Sequence, residues 1–254
     1  MTGILLVHGA WHGPWCWDNF VRFLTERGHR VHAVRLRGHD RPPGRIWHRV
    51  HHYVDDLRRA VAEFPEPPIL VGHSLGGLVV QKYLEQNRAP GAVLMASPPP
   101  GGTIKAVARQ ALQHPIALLK SNLLLRLKPF VNSPKLVREL YFTPDTPQKI
   151  VDHCFDNLQD ESYLAFIDTM IVLPQPKRIR VPILVLGAQR DAIITVREVQ
   201  DTARAYGTEA EIFSGMGHDL MLDEGWQRVA GRVDIWVRKT LRIGTDAQPS
   251  AAKG

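Results

Sequence analysis

The chain has 254 residues, 44% hydrophobic and 22% charged, which suits one globular domain with a sizeable core. Its net charge of +7 and pI near 9.6 come with no zinc-finger spacing and no RNP-type aromatic-basic pattern. Nucleic acid is therefore not expected as a partner, and the charge reads as a solvated basic surface.

Cys16 and Cys154 are the two cysteines. They lie too far apart to suggest a disulfide framework, and a reducing compartment fits them better. No basic n-region with an apolar h-region follows Met1, and no apolar run reaches membrane-spanning length. The expectation is a cytoplasmic protein. No Gly-rich phosphate loop is visible, so no nucleotide cofactor is implied.

Taken in order, Gly3 to Val7 is a short continuous apolar run, as a strand buried on both faces should be. His8 to Gly13 follows as a loop. Pro14 can open a helix over Trp15 to Arg27, with Gly28 at its C-terminal end. Arg30 to Arg35 alternates and predicts a second strand. Gly38 to Gly44 is a proline-rich loop, and Val50 to Phe64 is amphipathic with Val54, Leu57, Val61 and Phe64 at helical spacing. The run Pro67 to Leu70 leads into Val71-Gly72-His73-Ser74-Leu75-Gly76-Gly77, after which Leu78 to Leu84 reads as a helix. Gly91 to Ala96 is a strand. This strand–helix alternation predicts an α/β fold: a mostly parallel six-stranded sheet with helices on both faces.

From Pro98 to Pro176 the rhythm breaks into helical stretches with no convincing strand. The expected domains are thus a core of 1–97 and 178–243, a helical lid of 98–177, and a flexible tail of 244–254. Between 101 and 140 the lid carries seven Lys or Arg against the single acid Glu139. A basic, leucine-rich lid is suited to anionic lipid or an anionic substrate. The expectation favoured here is that its leucines pack on the core and its lysines are solvated, so membrane contact is not the main reading. Strands at 181–187 and 210–213, a helix at 196–206 and a closing helix at 226–241 complete the chain. Oligomeric state is left open.

Gly72-His73-Ser74-Leu75-Gly76 between a strand and a helix is a nucleophile-elbow pattern. Gly72 and Gly76 leave room for the tight turn, and the following helix presents its positive end to the reacting centre. A serine needs a base, and the base an orienting group. In this topology an acid and then a histidine should follow on later loops. Asp191 comes after the strand 181–187 and His218 after 210–213, so both emerge at the sheet edge that carries Ser74. Asp219 and Asp223 read as loop or capping residues instead. Ser97-Pro98 offers no alternative acid. The oxyanion donors expected are the N–H groups of Leu75 and Ala10, with Trp11 as second choice to Ala10. Trp11, Trp15 and Trp17, with the lid leucines, should form an apolar substrate pocket. His8 reads as structural, and His73 as pointing away from Ser74. His48, His51 and His52 read as solvated rather than as metal ligands.

The run from His8 to Trp17, the Ser74 pentapeptide, the Asp191 loop and Gly217-His218 resemble the α/β-hydrolase superfamily. Within it the chain is similar to the branch of plant methylesterases and hydroxynitrile lyases with their bacterial relatives. The likeness covers roughly 1–100 and 178–241. It implies the six-stranded core, no cofactor, and the same site: Ser74, Asp191 and His218 as triad, Ala10 and Leu75 as oxyanion donors. In the lyases a threonine stands at the Ala10 position and a lysine at that of Asp219, so the resemblance favours hydrolysis over lyase chemistry. The expected activity is cleavage of a small-molecule carboxylic ester of small to medium apolar type through an acyl-enzyme. A lyase-like or other non-hydrolytic enzyme, or a hydrolase-like receptor with negligible turnover, is the alternative.

Overall fold

The computed structural model describes residues 3–39 and 47–246. Six strands, β1 (Gly3–Val7), β2 (Arg30–Val34), β3 (Ile69–His73), β4 (Ala92–Met95), β5 (Ile183–Ala188) and β6 (Ala210–Phe213), form one sheet in the order β2-β1-β3-β4-β5-β6. Every neighbouring pair is parallel. The four inner strands are the apolar runs of the sequence, buried on both faces apart from the half-buried first residue of β1. The edge strands β2 and β6 are only partly buried. Along β1 the side chains alternate between two cores. Ile4 and Leu6 face the side of α1 (Asp18–Thr25) and α10 (Trp226–Asp246). Leu5 and Val7 face the side of α2 (Val50–Ala62), α3 (Leu75–Leu84) and α9 (Val196–Ala205).

Strand order reverses between β1 and β3, and a crevice opens at such a switch point beyond the strands' carboxyl ends. Val7 pairs with Gly72, His73 with Met95 and Ala188 with Phe213. The loops that follow β1, β3, β5 and β6 therefore leave the sheet along one edge.

Between β4 and β5 lie α4 (Ile104–Gln113), α5 (Pro115–Leu124), α6 (Pro134–Tyr141), α7 (Gln148–Asn157) and α8 (Tyr163–Ile171), with no strand among them. They are tied to the sheet's C-terminal edge by polar contacts: Arg109 Nη2 to Glu198 at 2.7 Å, Gln110 Nε2 to the Ala192 carbonyl at 2.9 Å, and Arg49 Nε to Asp168 at 2.8 Å.

The structure corrects the sequence reading in three places. The first helix is split, with a 3₁₀ turn at Pro14–Trp17 before α1. The closing helix runs on through Asp246, so the expected flexible tail is helical over its first three residues, and 247–254 lie outside the described residues. Most of the loop at Gly38 to Gly44 also lies outside them. Most notably, α5 buries Ala117 and Ser121 while Ile116, Leu119, Leu123 and Leu124 are exposed. Of the leucines expected on the core, these face outward, while Leu118 and Leu127 pack on it. The reason is legible in α5 itself: Pro-Ile-Ala-Leu-Leu-Lys-Ser-Asn-Leu-Leu is apolar around nearly the whole helix, so periodicity does not select the buried face.

Candidate active site

Ser74 follows the last residue of β3 and precedes the first of α3, with φ 48° and ψ −123°. A non-glycine residue in such a conformation is strained and persists only where its surroundings enforce it. Two glycines make the turn possible. A Cβ on Gly72 would stand 2.5 Å from the Gly76 carbonyl oxygen, and one on Gly76 would stand 2.3 Å from that of Val7. The turn is packed backbone against backbone, and Ser74 sits at its apex at the positive end of α3.

His218 follows β6, and Asp191 follows β5. His218 Nδ1 donates to Asp191 Oδ2 at 2.8 Å, with both side chains buried. The other Asp191 oxygen accepts the backbone N–H groups of Ile193 at 2.7 Å and Ile194 at 2.9 Å. The carboxylate is thus fixed by three donors. Burial pulls the His218 pKa down, but the Asp191 charge and hydrogen bond pull it up further, and the net direction is up. With its Nδ1 occupied by Asp191, His218 has only Nε2 to offer the cavity it lines with Ser74.

The loop after β1 brings Ala10 to the same cavity as Leu75. Neither backbone N–H donates to a protein acceptor among the described residues. The Trp11 N–H, by contrast, points to Glu161 Oε2 at 3.4 Å. The Trp11 N–H is therefore engaged, whereas that of Ala10 is not. Glu161 is a residue that sequence reasoning missed. It is buried and also accepts from Tyr53 Oη at 2.7 Å and His39 Nε2 at 3.1 Å. Burial raises its pKa, but His39 and these donors lower it more. A carboxylate from the inserted segment thereby anchors the loop after β1.

A second missed element is the buried pair His12–Asp219. His12 Nδ1–H donates to the Ala10 carbonyl at 2.8 Å, and Nε2 lies 2.9 Å from Asp219 Oδ2. Asp219 is the neighbour of His218 in the chain, and its N–H donates to the Tyr141 carbonyl at 3.1 Å. The pair ties the Ala10 loop to the His218 loop. Only the position of Asp219 beside His218 hinted at this in the sequence. Burial raises the Asp219 pKa, and His12, together with His73 and His218, lowers it further than burial lifts it. Asp223, as expected, serves its loop, accepting from Gly217 N–H at 2.7 Å and Thr146 Oγ1 at 2.7 Å.

Two groups of ligand-type atoms lie close enough for a metal, His12–Cys154–Asp219 and His73–His218–Asp219. Both share Asp219, whose oxygen is already engaged by His12. Cys16 and Cys154 are free and buried. His8 is structural: Nδ1–H donates to the Gly9 carbonyl and Nε2 accepts the Leu36 N–H. His73 lines the cavity wall but turns its Nε2–H to the His218 carbonyl at 3.0 Å. Burial, aided by the neighbouring His218, pushes the His73 pKa down to about 3, so the ring is neutral.

The cavity encloses about 810 Å³, part of it open to solvent, and none of its lining residues is Asp, Glu, Lys or Arg. Its walls come from Trp11, from Ala106, Val107 and Gln110 of α4, from Phe130, from Leu140 and Tyr141 of α6, from Phe166 of α8, and from Ile193. Of the tryptophans expected there, only Trp11 takes part. Trp15 stacks on His12 with ring centroids 5.3 Å apart, away from the cavity, and Trp17 is fully buried against Phe20. The 3₁₀ turn at Pro14–Trp17 rotates both rings out of the pocket.

A profile of the alpha/beta hydrolase family matches residues 4–232. The chain belongs to this family. As an alpha/beta hydrolase it has wide company. The rice protein named Probable esterase PIR7A (Oryza sativa subsp. indica) is 27% identical over 237 residues, covering 88% of this chain and 81% of the relative. Methylesterase 3 of Arabidopsis thaliana is 40% identical over 80 residues, 30% of each chain. Among solved structures, a thermophilic esterase from Thermogutta terrifontis superposes with TM-score 0.75 at 18% identity, covering 94% of this chain and 90% of that one. Polyneuridine aldehyde esterase does so with TM-score 0.70 at 18% identity, covering 92% and 99%. At such identities these structures speak to the fold.

Proposed function

We propose that this alpha/beta hydrolase is a carboxylic ester hydrolase whose nucleophile is Ser74. The observation that carries the reading is convergence: a strained serine, a histidine held at 2.8 Å by a buried aspartate, and two free backbone donors border one apolar cavity. The esterase names among its relatives agree with it.

This reading gives the following steps. Ser74 Oγ attacks the ester carbonyl carbon as His218 Nε2 takes its proton. The carbonyl oxygen becomes an oxyanion facing the N–H groups of Ala10 and Leu75, which are already oriented. Collapse breaks the bond to the alcohol, which leaves with the proton from His218. A water then attacks the acyl-enzyme, passing its proton to His218, and Ser74 is regenerated with release of the acid. Asp191 holds the imidazole in the tautomer with hydrogen on Nδ1 and favours the transient imidazolium. Since no lining residue carries a formal charge as Asp, Glu, Lys or Arg, the substrate is a neutral ester with an apolar body.

The test is hydrolysis of nitrophenyl esters from acetate to palmitate, with Ser74→Ala beside the wild type. Turnover with a chain-length optimum, abolished in the variant, is the expected result. Turnover that survives in Ser74→Ala would overturn the assignment.

A further inference from the structure

We infer that the outward faces of α4 and α5 dock on an anionic lipid surface. On α4, Ile104, Lys105, Ala108 and Leu112 share one exposed face; on α5, Ile116, Leu119, Lys120, Leu123 and Leu124 do so. Leu112 is 85% exposed, Leu123 75% and Ile116 69%. Helix α5 is largely inside out: its small and polar residues Ala117 and Ser121 are buried, and Ile116, Leu119, Leu123 and Leu124 meet solvent while Leu118 packs on the core. Exposed apolar faces of this kind mark a surface that is covered in use.

Charge chooses among the occupants. Neither helix contains Asp or Glu, and between 101 and 140 seven Lys or Arg face one acid. Lys105 and Lys120 stand exposed within the leucine face, whereas Arg126 beside it is paired with Asp160 at 2.6 Å. A second copy of the chain docking by two-fold symmetry would set this patch against itself, bringing lysine toward lysine in a protein of net charge +7. Anionic headgroups complement those lysines while the leucines enter the acyl boundary. The inner face of α4, through Ala106, Val107 and Gln110, roofs the Ser74 cavity. Docking thus places that roof against the bilayer, where apolar esters partition. This last consequence rests on the esterase reading; the docking itself does not.

The experiment is co-sedimentation with vesicles of phosphatidylcholine alone and of phosphatidylcholine mixed with phosphatidylglycerol. The proteins are wild type, Leu119→Ser with Leu123→Ser, Lys105→Glu with Lys120→Glu, and Ser74→Ala. All substituted positions of the two double variants are exposed and outside the cavity lining, so nitrophenyl acetate hydrolysis and melting temperature should match the wild type and certify the fold. The expected result is binding to the anionic vesicles that weakens at least about tenfold in each double variant and falls in high salt, with Ser74→Ala binding as wild type. Absence of binding, or equal binding by the double variants, overturns the inference. So does a solution dimer that the leucine substitutions convert to monomer.

Discussion

Replacing Asp191 with Asn changes one atom and tests how His218 is held. Asp191 accepts three hydrogen bonds, two from the Ile193 and Ile194 N–H groups on Oδ1 and one from His218 Nδ1 on Oδ2. Asn has one acceptor oxygen. If that oxygen stays on the two N–H groups, the amide NH₂ faces His218 Nδ1, which must then become the acceptor. The ring hydrogen moves to Nε2, and the nitrogen facing the cavity can no longer take a proton from Ser74. In serine proteases this tautomer error costs about 10⁴ in kcat, or roughly 5 kcal/mol of barrier. A second signature accompanies it. Burial lowers the His218 pKa, and the Asp191 charge and hydrogen bond, together with the Asp219 charge, more than reverse this. Activity needs neutral His218, so the wild-type rate should fall as pH drops through a value above 6.5. Without the charge, burial prevails and the acid limb moves down. The assay is kcat against pH on a nitrophenyl ester, with melting curves to certify the fold. An Asn variant that keeps more than about a tenth of kcat, or whose acid limb does not move, would refute the reasoning.

Gly76→Ala puts a Cβ 2.3 Å from the Val7 carbonyl oxygen and 2.5 Å from that of His8; backbone on that side cannot give way, so a loss on the order of 3 kcal/mol or more is expected in denaturant unfolding. Asp219→Ala leaves His12 buried without its partner and should cost about 3 kcal/mol, while Asp219→Asn, which keeps a hydrogen bond to His12, should cost much less; chemical denaturation of the two variants distinguishes them. His8 and His73 have pKa values lowered chiefly by burial, below the unfolded value of 6.5. Their contribution is complete above pH 6.5 and is lost as pH falls below it, at about 1.4 kcal/mol per pH unit for each. His39 and His218 have raised values, so their contribution is already full below 6.5 and is lost only as pH rises through those values. Stability measured by urea unfolding should therefore drop by roughly 2–3 kcal/mol between pH 6 and pH 5; a flat profile there would contradict neutral burial of His8 and His73.

The sheet was legible because its inner strands are short apolar runs that are buried on both faces, and because turn glycines and prolines separate them. Gly72, Ser74 and Gly76 were legible because a strand-to-helix turn that tight tolerates few sequences. Asp191 and His218 were legible from their order and from the strands before them, and they meet at 2.8 Å. What escaped was long-range and polar. His12 and Asp219 are 207 residues apart, and Glu161 reaches Trp11 across 150; no local pattern announces such pairs. The cavity wall escaped too, since the residues that α4, α6 and α8 contribute to it depend for their orientation on how the inserted helices dock. Trp15 was misplaced because a 3₁₀ turn has a different angular step from the α-helix expected there. The orientation of α5 escaped because a helix apolar on nearly every side gives no moment from which to read its inner face.

The central claim is that Ser74 Oγ is the nucleophile, and active-site labelling tests it most directly. The protein is treated with a fluorophosphonate, digested and mapped by mass spectrometry, while ester hydrolysis is followed in parallel. The account predicts one adduct per chain on the peptide carrying Ser74, formed in step with loss of activity and absent in Ser74→Ala. Full hydrolytic activity in a chain quantitatively labelled at Ser74, or inactivation with the adduct on another residue, would contradict it.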